Sequence, residues 1–242
     1  MEQSGTSPRL AGVVHDLASE VVSVLRDGGH SSVVGGTVGT LADDQLGLAA
    51  VRVLGADVLL PSVLTRRRPL PDDLAVFQRA VVTFAPKATS SATTVWSHWA
   101  MTQTLHRLDV SATGAHARPD ASWLDDLDWQ RLTHQLSLLG ALAVPGADSA
   151  IAQAAARRPV DVARGFVRAI RRRDWLQAAG AGRWLSVIDG VPDTLGLDTG
   201  LEFVGQMAGT DARVGLHVHA ARHIRAGAGG RKAEGREAGG RG

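Results

Sequence analysis

The chain has 242 residues, of which 44% are hydrophobic and 21% charged, values typical of a globular protein and far from those of a disordered one. It has no cysteine, which excludes disulfides, thiolate catalysis and cysteine-ligated zinc or iron–sulfur sites within this chain. The formal charge is only +2 despite a sequence pI near 9.9, and the excess lies from residue 226 onward, where Arg231, Lys232, Arg236 and Arg241 face Glu234 and Glu237. A neutral body argues against broad, phosphate-driven nucleic-acid binding, which needs several clustered cations.

The first residues lack the basic stretch and apolar core of a secretory leader. No run is read as reaching the roughly 18 apolar residues of a membrane span; the nearest, LSLLGALAVPGA at 136–147, is too short and holds a proline. A cytoplasmic protein is expected. Arginine greatly outnumbers lysine, which appears only at Lys87 and Lys232, a bias that reads as a GC-rich bacterial genome rather than as function.

The first element is an amphipathic helix, with Ser7 as cap, Pro8 in the first turn and Leu10, Val13, Val14, Leu17, Val21, Val24 and Leu25 on one face, ending at DGG. Residues 30–86 admit an α/β alternative: SSVV and ADVLL as strands, GGTVG as a turn, Thr40 with Asp43 as a capping pair. The turn matches neither nucleotide-binding glycine pattern and has no lysine beside it. LTRRRPLPDD at 64–73 breaks the chain, and Asp72 or Asp73 is expected to cap the helix that follows. A Ser/Thr loop from Lys87 then leads into a helix carrying Val95, Trp99, Met101, Leu105 and Leu108, and the small, polar stretch 111–122 marks a subdomain border.

The second half reads as helices almost throughout. Ser122 with Asp125 opens one, and the stretch 159–190 reads as two helices meeting near GAG at 180–182. The expected fold is mainly α, an antiparallel helical array in two subdomains, 1–110 and 120–225, followed by a disordered, Gly-rich basic tail at 226–242.

Three groups of residues carry candidate chemistry. His217, His219 and His223 crowd into HVHAARH. On a helix His219 and His223 are i, i+4 neighbours able to hold a divalent metal, although Ala220 stands where H-E-x-x-H enzymes carry glutamate. The competing reading is a solvated helix face. Trp96, His98, Trp99 and His106 would line a ligand pocket, unless the tryptophans simply fill the core. Arg171, Arg172 and Arg173 with Trp175 offer guanidiniums and an aromatic face to phosphate or to a partner; the other basic runs are TRRRP at 65–69 and ARRP at 156–159. The paired aspartates, at 43–44, 72–73 and 125–126, stand at helix starts, where capping explains them. No catalytic constellation assembles. The leading expectation is an interaction module with a protein partner or self-association, with a metal-dependent or small-molecule enzyme and a phosphate- or nucleic-acid-binding protein as rivals.

Overall fold

In the computed structural model, residues 3–28, 31–33, 45–109 and 117–239 are described, and among them the chain is helical, with no strand. The helices are α1 (Gln3–Arg26), α2 (Gln45–Leu54), α3 (Leu60–Thr65), α4 (Pro71–Thr83), α5 (Ala92–Arg107), α6 (Trp129–Leu138), α7 (Ala150–Arg157), α8 (Pro159–Arg171), α9 (Trp175–Leu185), α10 (Leu197–Met207) and α11 (Ala212–Gly239). The mainly α expectation holds.

The α/β alternative is corrected. ADVLL runs through a 3-10 turn, Gly55–Leu59, into the first residue of α3, with every residue of the turn buried. An apolar run buried on all sides has no alternation to distinguish strand from helix. In SSVV, Val33 donates its N–H to Asp73 rather than to a neighbouring strand. Asp73 also accepts from the Ser32 hydroxyl, so it ties residues 32–33 to α4. Pro71 at the helix start, not an aspartate, opens that helix. The glycine turn, the Thr40–Asp43 pair and Asp44 lie outside the described residues.

The expectation that no run has the apolar length of a membrane span is corrected: Gln45–Thr65 is long and apolar enough, by length and composition, to cross one, and two thirds of it is buried inside the fold. Burial accounts for its apolarity. A lone Arg52 reaches out of it to α5, donating to the Ser97 hydroxyl and to the Thr94 carbonyl.

Two hydrophobic clusters fill the molecule. The first gathers α6 to α10 around Trp184, Phe166, Leu132 and Leu136. The second gathers α1 to α4 around Phe77, Leu17, Leu59 and Leu60. Helices α5 and α11 belong to both. Trp96, Trp99 and Ala100 of α5 join the first cluster while Met101 and Leu105 join the second. On α11, Val214, Val218 and Ala221 face one way and Ala212, Leu216 and Ala220 the other.

The glycines at 165, 180 and 182 mark where helices press together rather than where they end. GAG at 180–182 sits inside α9, where a Cβ on Gly180 would stand 2.8 Å from the Ser137 carbonyl oxygen and one on Gly182 would stand 2.6 Å from Leu201. The break between α8 and α9 falls instead at Arg173, which takes a left-handed φ of 59°, and Asp174 caps α9 by accepting from the Gln177 N–H. At the α6–α8 crossing, a Cβ on Gly165 would collide with Thr133. Gly165→Val should therefore push α8 off α6 and cost about 1–3 kcal/mol, the usual range for overpacking. Urea unfolding measures this, and a stability equal to wild type would show that the crossing yields freely.

Helix α11 continues past residue 226 to Gly239, into the segment whose composition predicts a disordered tail. Its packed first half, held against α1, α9 and α10, supplies the costly nucleus, after which helix extends at little cost.

Candidate functional site

The three histidines of HVHAARH point to three different environments. His217 turns inward, its Nδ1 accepting from Arg183 Nη1 at 3.4 Å, and a Cβ on Gly140 would meet its ring at 2.8 Å. His219 accepts from Arg26 at the end of α1, with Nη2 at 2.8 Å from Nε2. His223 is exposed. A nitrogen lone pair engaged by a guanidinium is not offered to a metal. Among the described residues no group of three or more His, Asp or Glu side chains is placed to hold one.

What His217 joins is a buried ion pair. Arg183, fully buried, donates from Nη1 to Asp57 Oδ1 at 2.8 Å and from Nε to the Ala143 carbonyl at 3.1 Å. Among the described residues Arg183 Nη2 has no hydrogen-bond partner. Burial is the main force holding the His217 pKa down, at about 4 against its ordinary 6.5; Arg183 adds to the shift and Asp57 opposes it. Half-burial, with Arg26 and Arg222 adding, also lowers His219. The neutral imidazole is thus the form that fits beside Arg183. A cavity of about 150 Å³ reaches Asp57 and His217, below the roughly 300–1,000 Å³ of small-molecule sites.

The Trp–His helix is core. Trp96 and Trp99 meet edge to face at 5.0 Å, Trp96 donates to the Asp120 carbonyl, and His98 bonds the Val81 carbonyl at 3.1 Å. His106 is exposed. None of the cavities found among the described residues is lined by these four.

The arginine run is partly brought together. Arg171 and Arg172 line a groove of about 810 Å³ along α8, whereas Arg173 and Trp175 do not. Trp175 packs edge to face on Phe203 instead, at 6.0 Å. The groove adds residues that the run alone does not reveal: Arg168 and Arg164, one and two turns earlier on α8, and Trp129 at the start of α6. Both guanidiniums lie over the Trp129 ring, at 5.0 and 5.7 Å from its centroid, within cation–π reach. Val160, Val167 and Leu195 give an apolar floor, and Val160 and Val167 are 55% and 42% exposed. The i, i+4, i+7, i+11 spacing of Val160, Arg164, Val167 and Arg171 held this stripe in plain sight.

Local acids neutralise little of it. Asp161 pairs closely with Arg158, at 2.8 Å, and only distantly with Arg164, at 3.8 Å. Among the described residues no carboxylate lies within ion-pair distance of Arg168, Arg171 or Arg172. A second cleft of about 630 Å³ shares Arg168 with the groove and is lined by Gln130, Gln135, Gln177 and Trp123. Its walls present amide donors and acceptors beside the guanidiniums.

No protein-family model, curated protein or solved structure matches this chain. Function is read from the groove alone.

Proposed function

We propose that this protein is an interaction module whose α8 groove receives an acidic, partly apolar segment of a partner protein. The observation that carries this reading is the groove's make-up: four guanidiniums on one face of α8, placed around Trp129 and an apolar floor, with little carboxylate to balance them. Arginine and tryptophan with adjoining apolar side chains are the residues that anchor protein interfaces. Charge complementarity selects carboxylates, and the floor selects an aliphatic residue between them. The amide-lined cleft that shares Arg168 suits the main chain of a peptide, whose N–H and C=O groups each need a partner. The protein works in the cytoplasm on this reading, where the largely buried Gln45–Thr65 run serves the core rather than a bilayer.

The test is fluorescence anisotropy with the full chain and synthetic peptides in which glutamate and leucine alternate at helical spacing, against lysine-substituted versions and a single-stranded oligonucleotide. The acidic peptides should bind best, and Arg168→Glu with Arg171→Glu should weaken them about a hundredfold or more, two charge-assisted contacts being lost. Equal binding of the lysine peptides would defeat the proposal. Preference for the oligonucleotide, falling steeply with salt, would turn the groove over to nucleic acid.

A further inference from the structure

A separate concentration of guanidiniums lies where the C-terminal ends of α3 and α5 meet the Pro145–Gly146 turn. We infer that the basin formed there by Arg66, Arg68 and Arg107 binds a compact phosphate-bearing anion, of the size and charge of pyrophosphate.

The basin has a volume of about 460 Å³, and one carboxylate, Asp109, lines it together with those three arginines and Arg67. Several other arginines that reach across to another element meet acids: Arg157 reaches Asp125, Arg183 reaches Asp57, and Arg225 reaches Asp198. Among the described residues no carboxylate stands within ion-pair distance of Arg66, Arg68 or Arg107. Like charges gathered in one concavity repel unless a counter-ion joins them.

The backbone is specialised at the same place. Arg66 and Asp109 have left-handed φ angles of 56° and 53°, conformations that non-glycine residues seldom adopt and that cluster at ligand-binding sites. Gly146, with a φ of 68°, lines the basin too. The helix dipole explains a basic residue in the last turn of α5, where Arg107 sits. It does not explain three consecutive arginines following the six-residue α3.

The chemistry of the lining names the ligand. Guanidiniums clamp phosphate oxygens in pairs, so several on one basin favour an anion with more than one charged face. The apolar share is Val63, Leu108 and Pro145, with no aromatic ring to stack on a base. This sets the basin apart from the α8 groove with its Trp129, and the inference is independent of the function proposed for that groove.

Isothermal titration of the full chain with pyrophosphate, inorganic phosphate and ADP, at physiological salt, tests it. Pyrophosphate should bind more tightly than phosphate, and ADP should match pyrophosphate because the diphosphate is what is held. Arg68→Gln and Arg107→Gln should each weaken binding about tenfold, the worth of one charge-assisted hydrogen bond. Arg66→Asn, which keeps a residue tolerant of the left-handed backbone, should do the same. These side chains are exposed, so unchanged thermal melts are expected for all three. Arg168→Gln in the other groove should leave pyrophosphate binding unchanged. Absence of binding at millimolar pyrophosphate would overturn the inference. So would equal affinity in all the variants, binding of ADP alone, or loss of binding in Arg168→Gln.

Discussion

Asp57→Ala should destabilise the protein by about 3–5 kcal/mol, the cost of stranding one member of a buried ion pair. Without Asp57, Arg183 keeps only the Ala143 carbonyl and the distant His217 nitrogen while holding a charge with no exposed surface. The pair also joins the 3-10 turn after α2 to α9, so its loss loosens the contact between the two hydrophobic clusters. Replacing both partners, Asp57→Leu with Arg183→Met, should recover most of the stability, because an apolar pair of similar volume avoids the desolvation that the ions suffer. Urea unfolding of the two single variants and the double variant, compared as a cycle, reads this directly. If Asp57→Ala cost less than about 1 kcal/mol, a value typical of surface pairs, the buried pair would not be a structural support.

Acid should weaken the fold through His217. Its pKa is about 4 in the folded protein and 6.5 ordinarily, so between those values the unfolded chain binds a proton that the folded chain refuses. Stability therefore falls as pH drops from 6.5 towards 4 and levels off below, by up to about 3 kcal/mol for this one group. His219 is shifted in the same direction, and carboxylates add their own dependence. The informative quantity is thus the difference between wild type and His217→Gln across that window. The variant should lose less stability on acidification, and parallel curves would mean that His217 takes up its proton while folded.

Much of the fold is legible in the chain because helical periodicity survives wherever a helix has one wet face. Leu17, Val21 and Leu25 announce α1, although the helix begins at Gln3, upstream of Ser7. The caps were harder to read. Ser122 opens only a short 3-10 turn and Asp128 caps α6, accepting from the Arg131 N–H; Asp211, not Thr210, caps α11. Neighbouring polar residues offer similar chemistry, and tertiary packing decides which one is used. The glycines of α9 misled for a related reason, since a glycine that permits close approach and one that ends a helix look alike in sequence.

The site was legible in part. Arg171 and Arg172 stand in an obvious run, but Trp129, about forty residues earlier, enters the groove only because α6 crosses α8 at Gly165. Asp57 and Arg183 are each a lone charge within an apolar stretch, LGADVLL and AAGAGRWL. A charge so placed has to find a partner once buried. The histidine cluster, by contrast, is conspicuous in sequence and yet gathers no site, because His217 lies on the opposite side of the helix from His219 and His223, and Arg26 takes up the His219 ring nitrogen.

The double membership of α11 bears on how the chain is made. Leu216 and Ala220 belong under α1, and Val214 and Val218 under α9 and α10, yet all of them are synthesised after every helix they complete. Neither core can close while this segment is still inside the ribosome. The earlier helices must wait with apolar faces open to water, or in a chaperone's shelter, until this segment has emerged and docked.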